Sequence, residues 1–402
     1  MPQGRPNGSR GSWHDILRLT ANITMDMAAS VDVLVIGGGV IGLTSAYYLA
    51  RAGAKVAVCD RGQFGRESSW AGAGIIPPGN PARATAPLDR LRALSAAAFP
   101  KLSEELNEAT GIDNGYRRCG GLALFGNEDD APPLDAWNSE GINWELCDAA
   151  QLWRYEPRLS PGVGRAFHLP DMAQLRNPWH MRALTAALNR LGVGFHTEDR
   201  LVGLVRDGDR IDRANMSWGP IQAETYLCCL GAWTGDLFTA LGLQCGIRPI
   251  RGQILLMRTQ EPILRRIVEE GKRYLVPRED GRLLVGSTEE DVGFDSSTTD
   301  VALAALHRFA VNLVPDLAKA QIERSWAGLR PGNLDGLPTL GRMPGYRNLW
   351  IAAGHFRAGI QLSPATGWVM AQAIRGEPTD VALDSFRADR EPSTPTRPAF
   401  QS

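Results

Sequence analysis

The run VIGGGVIG, residues 35–42, is the feature that most constrains how this chain can fold. It follows the apolar segment 31–36, whose nearly continuous hydrophobic character is typical of a strand buried on both faces. It opens a helical segment that reaches about Ala52, and a second apolar strand follows over 55–59. This strand–helix–strand order predicts the start of a dinucleotide-binding fold.

Each glycine of the motif has a separate physical role. In Gly37-x-Gly39-x-x-Gly42, Gly37 makes the tight turn, and Gly39 lets the backbone approach a pyrophosphate. Gly42 allows close packing of helix on strand, and the helix N-terminus supplies free N–H groups for an anion. Asp60 ends the second strand 18 residues after Gly42, where a carboxylate can accept hydrogen bonds from ribose hydroxyls.

The segment FGRESSWAGAGIIPPG, residues 64–79, favours FAD over NAD as the cofactor. Its serines and small residues let the backbone pass close to a flat ring and donate N–H groups to it. An NAD enzyme more often continues directly with another strand–helix unit. The alternative interpretation of this segment is a flexible solvent loop.

The rest of the chain alternates between helical and strand patterns. A helix is predicted over 85–110, a strand–turn–helix unit with its turn at Gly231 over 224–243, and antiparallel strands over 252–290. A short apolar strand ending at Gly354 leads into a helix over about 363–374. The predicted fold class is therefore α/β: a Rossmann-like FAD-binding domain built from separated segments, with an inserted α+β substrate domain that contains an antiparallel sheet.

The domain boundaries follow from these segments. The FAD-binding domain is predicted over 31–104, 173–246 and 327–390, the substrate-binding domain over 105–172 and 247–326, a disordered extension over 1–30 and a flexible tail over 391–402.

Composition excludes several functional classes. With 43 Lys and Arg against 44 Asp and Glu, the formal net charge of −1 gives no electrostatic footprint for nucleic acid. The six cysteines include no CxxC pair, so no metal site is predicted. No run of 18 apolar residues suggests insertion into a membrane, and the expected location is cytoplasmic and reducing.

Two arginines stand beside apolar, Gly-rich stretches that the sequence pattern assigns to loops. Arg330 in AGLRPG has a rigid fork of donors that matches a carboxylate, and it either pairs with a protein acid or awaits an anionic substrate. Tyr274 either adds a hydroxyl donor to that carboxylate or is a half-buried strand residue. Arg357 faces either the flavin or the substrate entrance, and His355 is interpreted as structural. No Ser/His/Asp triad or paired carboxylates have convincing spacing.

The predicted helix start near residues 359–362 also has an electrostatic meaning. A helix that begins after a buried strand presents its positive end to the strand's edge. Reduced flavin carries negative charge around N1 and O2, which such an end stabilises. The alternative is an ordinary strand–helix unit without that role.

Five stretches of the sequence carry a family resemblance: VIGGGVIGLTSAYYLARAG, SSWAGAG, YLVPREDGRLLVGSTEEDVGFD, WAGLRPGNLDGLPTLGR and AAGHFRAGIQLSPATG. With them the chain resembles the D-amino-acid oxidase family of flavoproteins, and within it the glycine oxidases linked to thiamine biosynthesis. The resemblance spans residues 31 to about 390. It implies substrate binding by Arg330, Tyr274, Arg357 and Ile75. It implies FAD contacts from Gly37, Gly39, Val40, Ile41, Gly42, Asp60, Arg61, Ser68, Ser69, Ala73, Gly74, Ile75, Leu201, Gly231, His355, Phe356, Arg357, Ala358, Gly359, Ile360 and Gln361.

The resemblance also implies the reaction. Glycine, and with it sarcosine and small D-amino acids, would lose a hydride from the α-carbon to flavin N5, without a certain catalytic side chain. The products would be an imine, ammonia and glyoxylate after hydrolysis, and hydrogen peroxide from molecular oxygen. No cysteine follows position 246, so FAD is expected to be non-covalent. Glu289 and Lys272 depart from the family pattern, which leaves the substrate preference open.

The partners follow from this reaction. They are a small amino acid, oxygen and, for hand-over of the imine, a thiazole synthase; whether the chain forms a homo-oligomer stays open. A D-amino-acid dehydrogenase that passes electrons to a quinone or carrier remains the alternative function. An RNA-modifying flavoprotein or a non-catalytic FAD-binding protein is disfavoured by the net charge and the two arginines.

Overall fold

The structure is a computed structural model, and it describes residues 31–125, 132–242 and 246–391. The predicted N-terminal extension and all but the first residue of the predicted C-terminal tail lie outside the described residues. Cys245 and the last residue of the predicted unit over 224–243 lie outside them as well.

A mostly parallel sheet carries the glycine motif. Side by side, its six strands in the described chain are β19 (Thr339–Arg342), β20 (Leu349–Ala353), β13 (Ala223–Cys228), β1 (Val31–Ile36), β2 (Val56–Cys59) and β9 (Gly194–His196). β19 runs antiparallel to β20, and the other neighbours are parallel. The central position of β1 explains its nearly continuous apolar sequence, because both of its faces are covered.

The two faces of this sheet bury alternate residues of β1. Val33 and Val35 pack into a core with four helices, α1 (Val40–Arg51), α3 (Pro87–Thr110), α6 (Asn177–Arg190) and α9 (Gly359–Ile374). Leu34 and Ile36 pack on the other face against the antiparallel strands β10 (Leu201–Asp207), β11 (Arg210–Met216) and β12 (Gly219–Ile221). The period-2 alternation of a strand therefore divides one apolar run between two cores.

A second, larger sheet is mainly antiparallel. Its eight strands in the described part lie in the order β18 (Gln321–Gly332), β14 (Arg248–Arg258), β17 (Arg282–Gly286), β16 (Arg273–Pro277), β15 (Ile267–Glu270), β5 (Gly121–Leu124), β7 (Ala166–Leu169) and β6 (Glu145–Cys147). One face packs on α8 (Asp300–Leu313) through Leu306 and Phe309. The opposite face carries Ile254 and Tyr274.

Short elements complete the described chain. They are α2 (Ser68–Ala71), α4 (Leu134–Glu140), α5 (Ala149–Tyr155), α7 (Thr234–Ala240), β3 (Ile75–Ile76), β4 (Arg117–Arg118) and β8 (Ala173–Gln174), with 3-10 turns at Gly231–Trp233, Pro315–Lys319, Phe356–Ala358 and Asp384–Phe386. β3 and β4 both pair with β8 in a small antiparallel sheet. Among the described residues, no helix is long and apolar enough to cross a membrane.

The sequence interpretation of Arg330 as a loop residue is wrong. Arg330 lies in β18 and pairs with Ile250 of β14, and this pairing outweighs the weak strand propensity of the neighbouring glycines and proline. The pairing continues to Gly332, past the boundary proposed at residue 327, and the division into two domains stays a prediction. Helix α8 was not anticipated, although Thr299 caps it by accepting a hydrogen bond from the Ala302 N–H.

Helix α9 begins at Gly359, within the start range 359–362 used for the electrostatic argument and four residues before residue 363, where the strand–helix pattern placed it. Within its first turns, Pro364 lacks the N–H that would bond to the carbonyl of Ile360. The hydroxyl of Ser363 donates a hydrogen bond to that carbonyl at 2.9 Å instead. The additional turn brings the N-terminus of α9 to the edge of β20.

Gly367 marks the closest approach of α9 to α1. A β-carbon there would lie 2.8 Å from the carbonyl carbon of Thr44 and 2.9 Å from the amide nitrogen of Ser45. We expect Gly367→Ala to lower the free energy of unfolding by about 1–3 kcal/mol, because backbone atoms cannot move aside without separating the helices. Denaturant unfolding measures this change.

Gly164→Ala is the matched control, since that exposed glycine has no atom within 4 Å of a β-carbon. Equal stability of the Gly367→Ala variant and the wild type would contradict the close packing of α9 on α1.

Candidate functional site

A long cavity runs from the glycine motif after β1 to the face of the larger sheet. Its walls come from the β1–α1 turn, the segment around α2, the end of β2, the strand β10, the start of α9 and the sheet strands β14, β15 and β18. Residues distant in sequence therefore share one site.

The glycine motif forms one end of the cavity. Gly37 has φ +116°, and a β-carbon there would lie 2.3 Å from the carbonyl oxygen of Cys229. At Gly42 a β-carbon would lie 1.9 Å from the carbonyl oxygen of Gly37, so only glycine lets α1 start at this point. Helix α1 has no side-chain cap, and its first free N–H groups are directed to the cavity end, except that of Val40, which donates to Ser69 Oγ at 2.9 Å.

Asp60 fixes the loop beside the motif. Its Oδ2 accepts a hydrogen bond from the Gly38 N–H at 2.7 Å, and its Oδ1 accepts one from the Gly62 N–H at 2.8 Å. Burial raises the pKa of Asp60, while the two backbone donors act in the opposite direction. Each oxygen keeps a lone pair for a further donor, as a ribose hydroxyl would supply.

The segment from Ser68 to Ile75 forms the middle wall, and a buried arginine holds it. Arg278 donates to the carbonyl of Ala73 at 2.8 Å, to that of Leu175 at 3.0 Å and to the side-chain oxygen of Gln174. Burial lowers the pKa of Arg278 to about 9. Sequence reasoning missed this residue, because its three acceptors come from segments far away in the chain.

The start of α9 lies opposite this segment. Gly359, Ile360 and Gln361 line the cavity, and the helix has no side-chain cap, so its first N–H groups are available to a ligand. His355 is only 3% exposed, contacts Thr366 Oγ1 at 3.1 Å, and burial lowers its pKa to about 3. His355 is therefore neutral at pH 7. Phe356 adopts φ +48°, a strained value for a residue with a side chain.

Arg330 occupies the other end of the cavity. Its guanidinium lies over Gly252 of β14, where a β-carbon would come within 2.0 Å of Nη2. Nη2 donates to Ser287 Oγ at 2.7 Å, and Nη1 donates to the carbonyl of Thr288 at 3.0 Å. No carboxylate of the described residues forms an ion pair with it, and burial lowers its pKa. The remaining donors of the fork are available to an anion.

Like Arg330, the neighbouring Tyr274 lies over a glycine of an adjacent strand. It pairs with Gly286 across β16 and β17, and a β-carbon on Gly286 would lie 2.5 Å from the tyrosine hydroxyl oxygen. The side chain is 8% exposed, and its hydroxyl has no hydrogen-bond partner among the described residues. Arg330 and Tyr274 can therefore both donate to one carboxylate.

Arg357 lies at the cavity wall, near the turn between β15 and β16. It donates to the carbonyl of Lys272 at 2.8 Å and to Glu289 Oε2 at 3.3 Å, and Glu289 Oε1 pairs with Lys272 Nζ at 2.9 Å. Burial raises the pKa of Glu289, but Lys272, Arg357 and Arg330 outweigh it, so the net pKa is lowered. Arg357 lines the cavity, whereas Glu289 and Lys272 do not.

The structure brings nearly all of the predicted site residues to this cavity. The predicted residues that line it are Gly37, Gly39, Val40, Ile41, Asp60, Arg61, Ser68, Ser69, Ala73, Gly74, Ile75, Leu201, Gly231, Tyr274, Arg330, His355, Phe356, Arg357, Gly359, Ile360 and Gln361. Gly42 and Ala358 lie outside the lining. Gly42 faces the β1–α1 turn, and Ala358 is buried in the core under the parallel sheet.

Several lining residues were missed. Gly252 carried a signal, because an isolated glycine in a strand pattern marks a close approach of another group. Ser287 and Glu269 carried none, since their position depends on pairing between strands. No cluster of three or more metal-ligating side chains occurs in the part of the chain that the structure describes.

The glycine motif, Asp60 and the middle wall of small residues from Ser68 to Ile75 fit a dinucleotide with a flat ring. Comparison with known proteins agrees. The family model for DAO, FAD dependent oxidoreductase, matches residues 32–373. The chain is 38% identical to a glycine oxidase of Pseudomonas putida, over 86% of this chain and 95% of that protein.

A second sequence relative and a solved structure are also similar to this chain. The chain is 32% identical to a bifunctional protein ThiO/ThiG of Trichormus variabilis, over 92% of this chain but 56% of that protein. The crystal structure of glycine oxidase from Geobacillus kaustophilus superposes with a TM-score of 0.84 at 32% identity, over 90% of this chain and 99% of the other.

Asp60 provides a test of the cofactor end. We expect Asp60→Ala to weaken FAD binding at least about 10-fold, because the variant loses acceptors that hold the Gly38 and Gly62 amides and serve the ribose. Flavin fluorescence during titration of the apoprotein measures the dissociation constant. Asp209→Ala, which removes an exposed acid paired with Arg347, is the control and keeps wild-type binding. Wild-type affinity in Asp60→Ala would contradict the assignment.

Proposed function

The chain belongs to the DAO family of FAD-dependent oxidoreductases, as an amino-acid oxidase, and on this premise we propose that it deaminates glycine oxidatively. Sarcosine and small D-amino acids are further expected substrates. The observation that carries the proposal is the half-buried Arg330, whose fork has free donors and no carboxylate partner among the described residues.

The chemistry that bound FAD supplies is acceptance of a hydride from the substrate α-carbon at N5, followed by transfer of two electrons to oxygen. In sum, glycine and oxygen give an imine and hydrogen peroxide, and water then converts the imine to glyoxylate and ammonia. Residues 246–402 contain no cysteine, which supports non-covalent binding of the cofactor.

The chain's own residues orient the substrate. Arg330 binds the carboxylate with two N–H donors, and the hydroxyl of Tyr274 adds a third. Ile75 and Ile254 form apolar walls beside them and exclude water. A substrate fixed at its carboxylate presents its α-carbon in one orientation, and an amino group that is bound neutral, having lost its proton to solvent, needs no side-chain base when the hydride leaves.

The start of α9 would stabilise negative charge on a flavin bound in the cavity. Its free N–H groups from Gly359 to Gln361 line the cavity, and the helix dipole adds to them. Arg357 contributes a positive charge nearby, although Glu289 partly compensates it. The neutral His355 packs beneath this turn and positions it rather than transferring a proton.

The relatives' names support a wider role. A protein named ThiO/ThiG suggests that the imine is passed to thiazole synthesis, with a thiazole synthase as partner. We propose a cytoplasmic location, which suits the free thiols of Cys59, Cys119, Cys147, Cys228 and Cys229.

Peroxide production from glycine under air tests the choice of electron acceptor. We expect glyoxylate and hydrogen peroxide in equal amounts, because each imine formed delivers one electron pair to oxygen. A coupled peroxidase assay and a glyoxylate assay measure both. Reduction of an artificial dye by glycine without peroxide would instead establish the alternative, a dehydrogenase that uses a quinone or carrier.

Arg330 is the second test. We expect Arg330→Ala to lower kcat/KM for glycine about 100-fold or more, chiefly through KM, because the carboxylate loses a bidentate charged partner. Arg330→Lys keeps the charge but not the fork, and its loss is intermediate. Steady-state kinetics of FAD-saturated protein measure both variants.

Arg324→Ala is the control, since that exposed arginine lies on the same strand but outside the cavity. Wild-type glycine kinetics in Arg330→Ala would refute the role of Arg330 as the carboxylate clamp.

A further inference from the structure

One acidic residue of the cavity is not used by the proposed function. Glu269 lies on β15 opposite Tyr274 of β16, and Tyr274 in turn lies opposite Gly286 of β17. Residues that are direct partners across a sheet point to the same face. Glu269 therefore faces the cavity from the same side of the sheet as Tyr274, and both line it.

The other acids that line the cavity already have partners or are exposed. Asp60 accepts two backbone N–H groups, Glu67 pairs with Arg61, and Asp199 accepts from Ser217 and Trp218. Asp236 is exposed. The carboxylate of Glu269 has no hydrogen-bond or ion-pair partner among the described residues.

The two cations near Glu269, Arg357 and Lys272, form their ion pairs with Glu289 instead. Arg357 directs its two hydrogen bonds to Glu289 and to the carbonyl of Lys272, and the ammonium of Lys272 pairs with Glu289. Arg357 acts on Glu269 only through its charge. The charged or titratable groups facing Glu269 are thus Arg357 and Tyr274, with the Lys272–Glu289 pair next to Arg357.

Glu269 also lies at a defined distance from the carboxylate clamp. The hydroxyl of Tyr274 lies over Gly286, two strands away from Glu269, which corresponds to roughly 10 Å. Glycine, held at Arg330, is too short to span that distance. A substrate side chain of four or five atoms, together with the glutamate side chain, spans it.

We propose that Glu269 recognises a positively charged group at the far end of a substrate side chain, so that basic D-amino acids are preferred over uncharged ones with the same carbon chain. The inference rests on the proposed function, because it assumes that Arg330 holds the α-carboxylate. It assigns Glu269 to specificity, and hydride transfer does not require it.

The ionisation of Glu269 supports this assignment. Burial raises its pKa to about 7, against the opposing charge of Arg357. The ionised form of a carboxyl group that is desolvated and has no partner is stabilised by a nearby cation. Below pH 7 the residue becomes neutral and the attraction is lost; above pH 7 it is present.

D-lysine and D-norleucine form the matched substrate pair, because they differ by the terminal ammonium alone. We expect the ratio of their kcat/KM values at pH 8 to favour D-lysine about 10-fold or more, the scale of one charged hydrogen bond. Glu269→Gln should bring the ratio close to 1, mainly through the KM of D-lysine, with little change for D-norleucine. In the wild type the ratio should fall between pH 8 and pH 6, and in Glu269→Gln it should not.

Glu270→Gln is the control variant, since Glu270 is the exposed next residue of the same strand and its side chain points to the other face. Glu269→Asp keeps the charge and should retain a reduced preference; it replaces Glu269→Gln if that protein lacks FAD. A wild-type ratio near 1, or an unchanged ratio in Glu269→Gln, would overturn the inference. Absence of turnover with glycine, D-norleucine and D-lysine alike would instead overturn the proposed function.

Discussion

The substrate end of the cavity depends on two polar side chains that lie flat over glycines of neighbouring strands. Arg330 covers Gly252, and Tyr274 covers Gly286. Any larger residue at either glycine would push the guanidinium or the phenol ring off the sheet. The arginine also needs acceptors for its partly buried charge, and Ser287 and Thr288 supply them directly after β17. The clamp is therefore a property of four paired strands rather than of one motif.

The cofactor end could be predicted from the sequence in most of its details. A dinucleotide is held largely by backbone N–H groups, and a backbone that must come close to a ligand requires glycine, which is visible in the sequence. The apolar run from Val33 to Ile36 in β1 is explained by its two cores, since Val33 and Val35 face one and Leu34 and Ile36 the other.

The substrate end was predicted less completely. Arg330 was recognised, but its strand was interpreted as a loop, because glycine and proline oppose strand formation locally and only the pairing with β14 overcomes them. Arg278 and Glu269 were missed because their positions also depend on contacts between segments that are distant in sequence. Their partners come from segments more than 100 residues apart or from the register of several strands, and one sequence does not contain that information.

Arg330 and Glu269, two charged groups of the substrate pocket, respond differently to pH. The guanidinium of Arg330 gives the cavity a positive end that an α-carboxylate neutralises, although burial lowers its pKa. Glu269 is different, because a carboxyl group with a pKa of about 7 changes its charge near neutrality. When glycine is bound, no substrate cation reaches Glu269, and Arg357 acts on it only through its charge, so uptake of a proton removes the cost of an unpaired carboxylate. When a basic side chain is bound, the same residue stays ionised and pairs with it. A single pocket thus accommodates a small neutral substrate and a longer basic one without rearrangement of the sheet, and pH decides how strongly it distinguishes them.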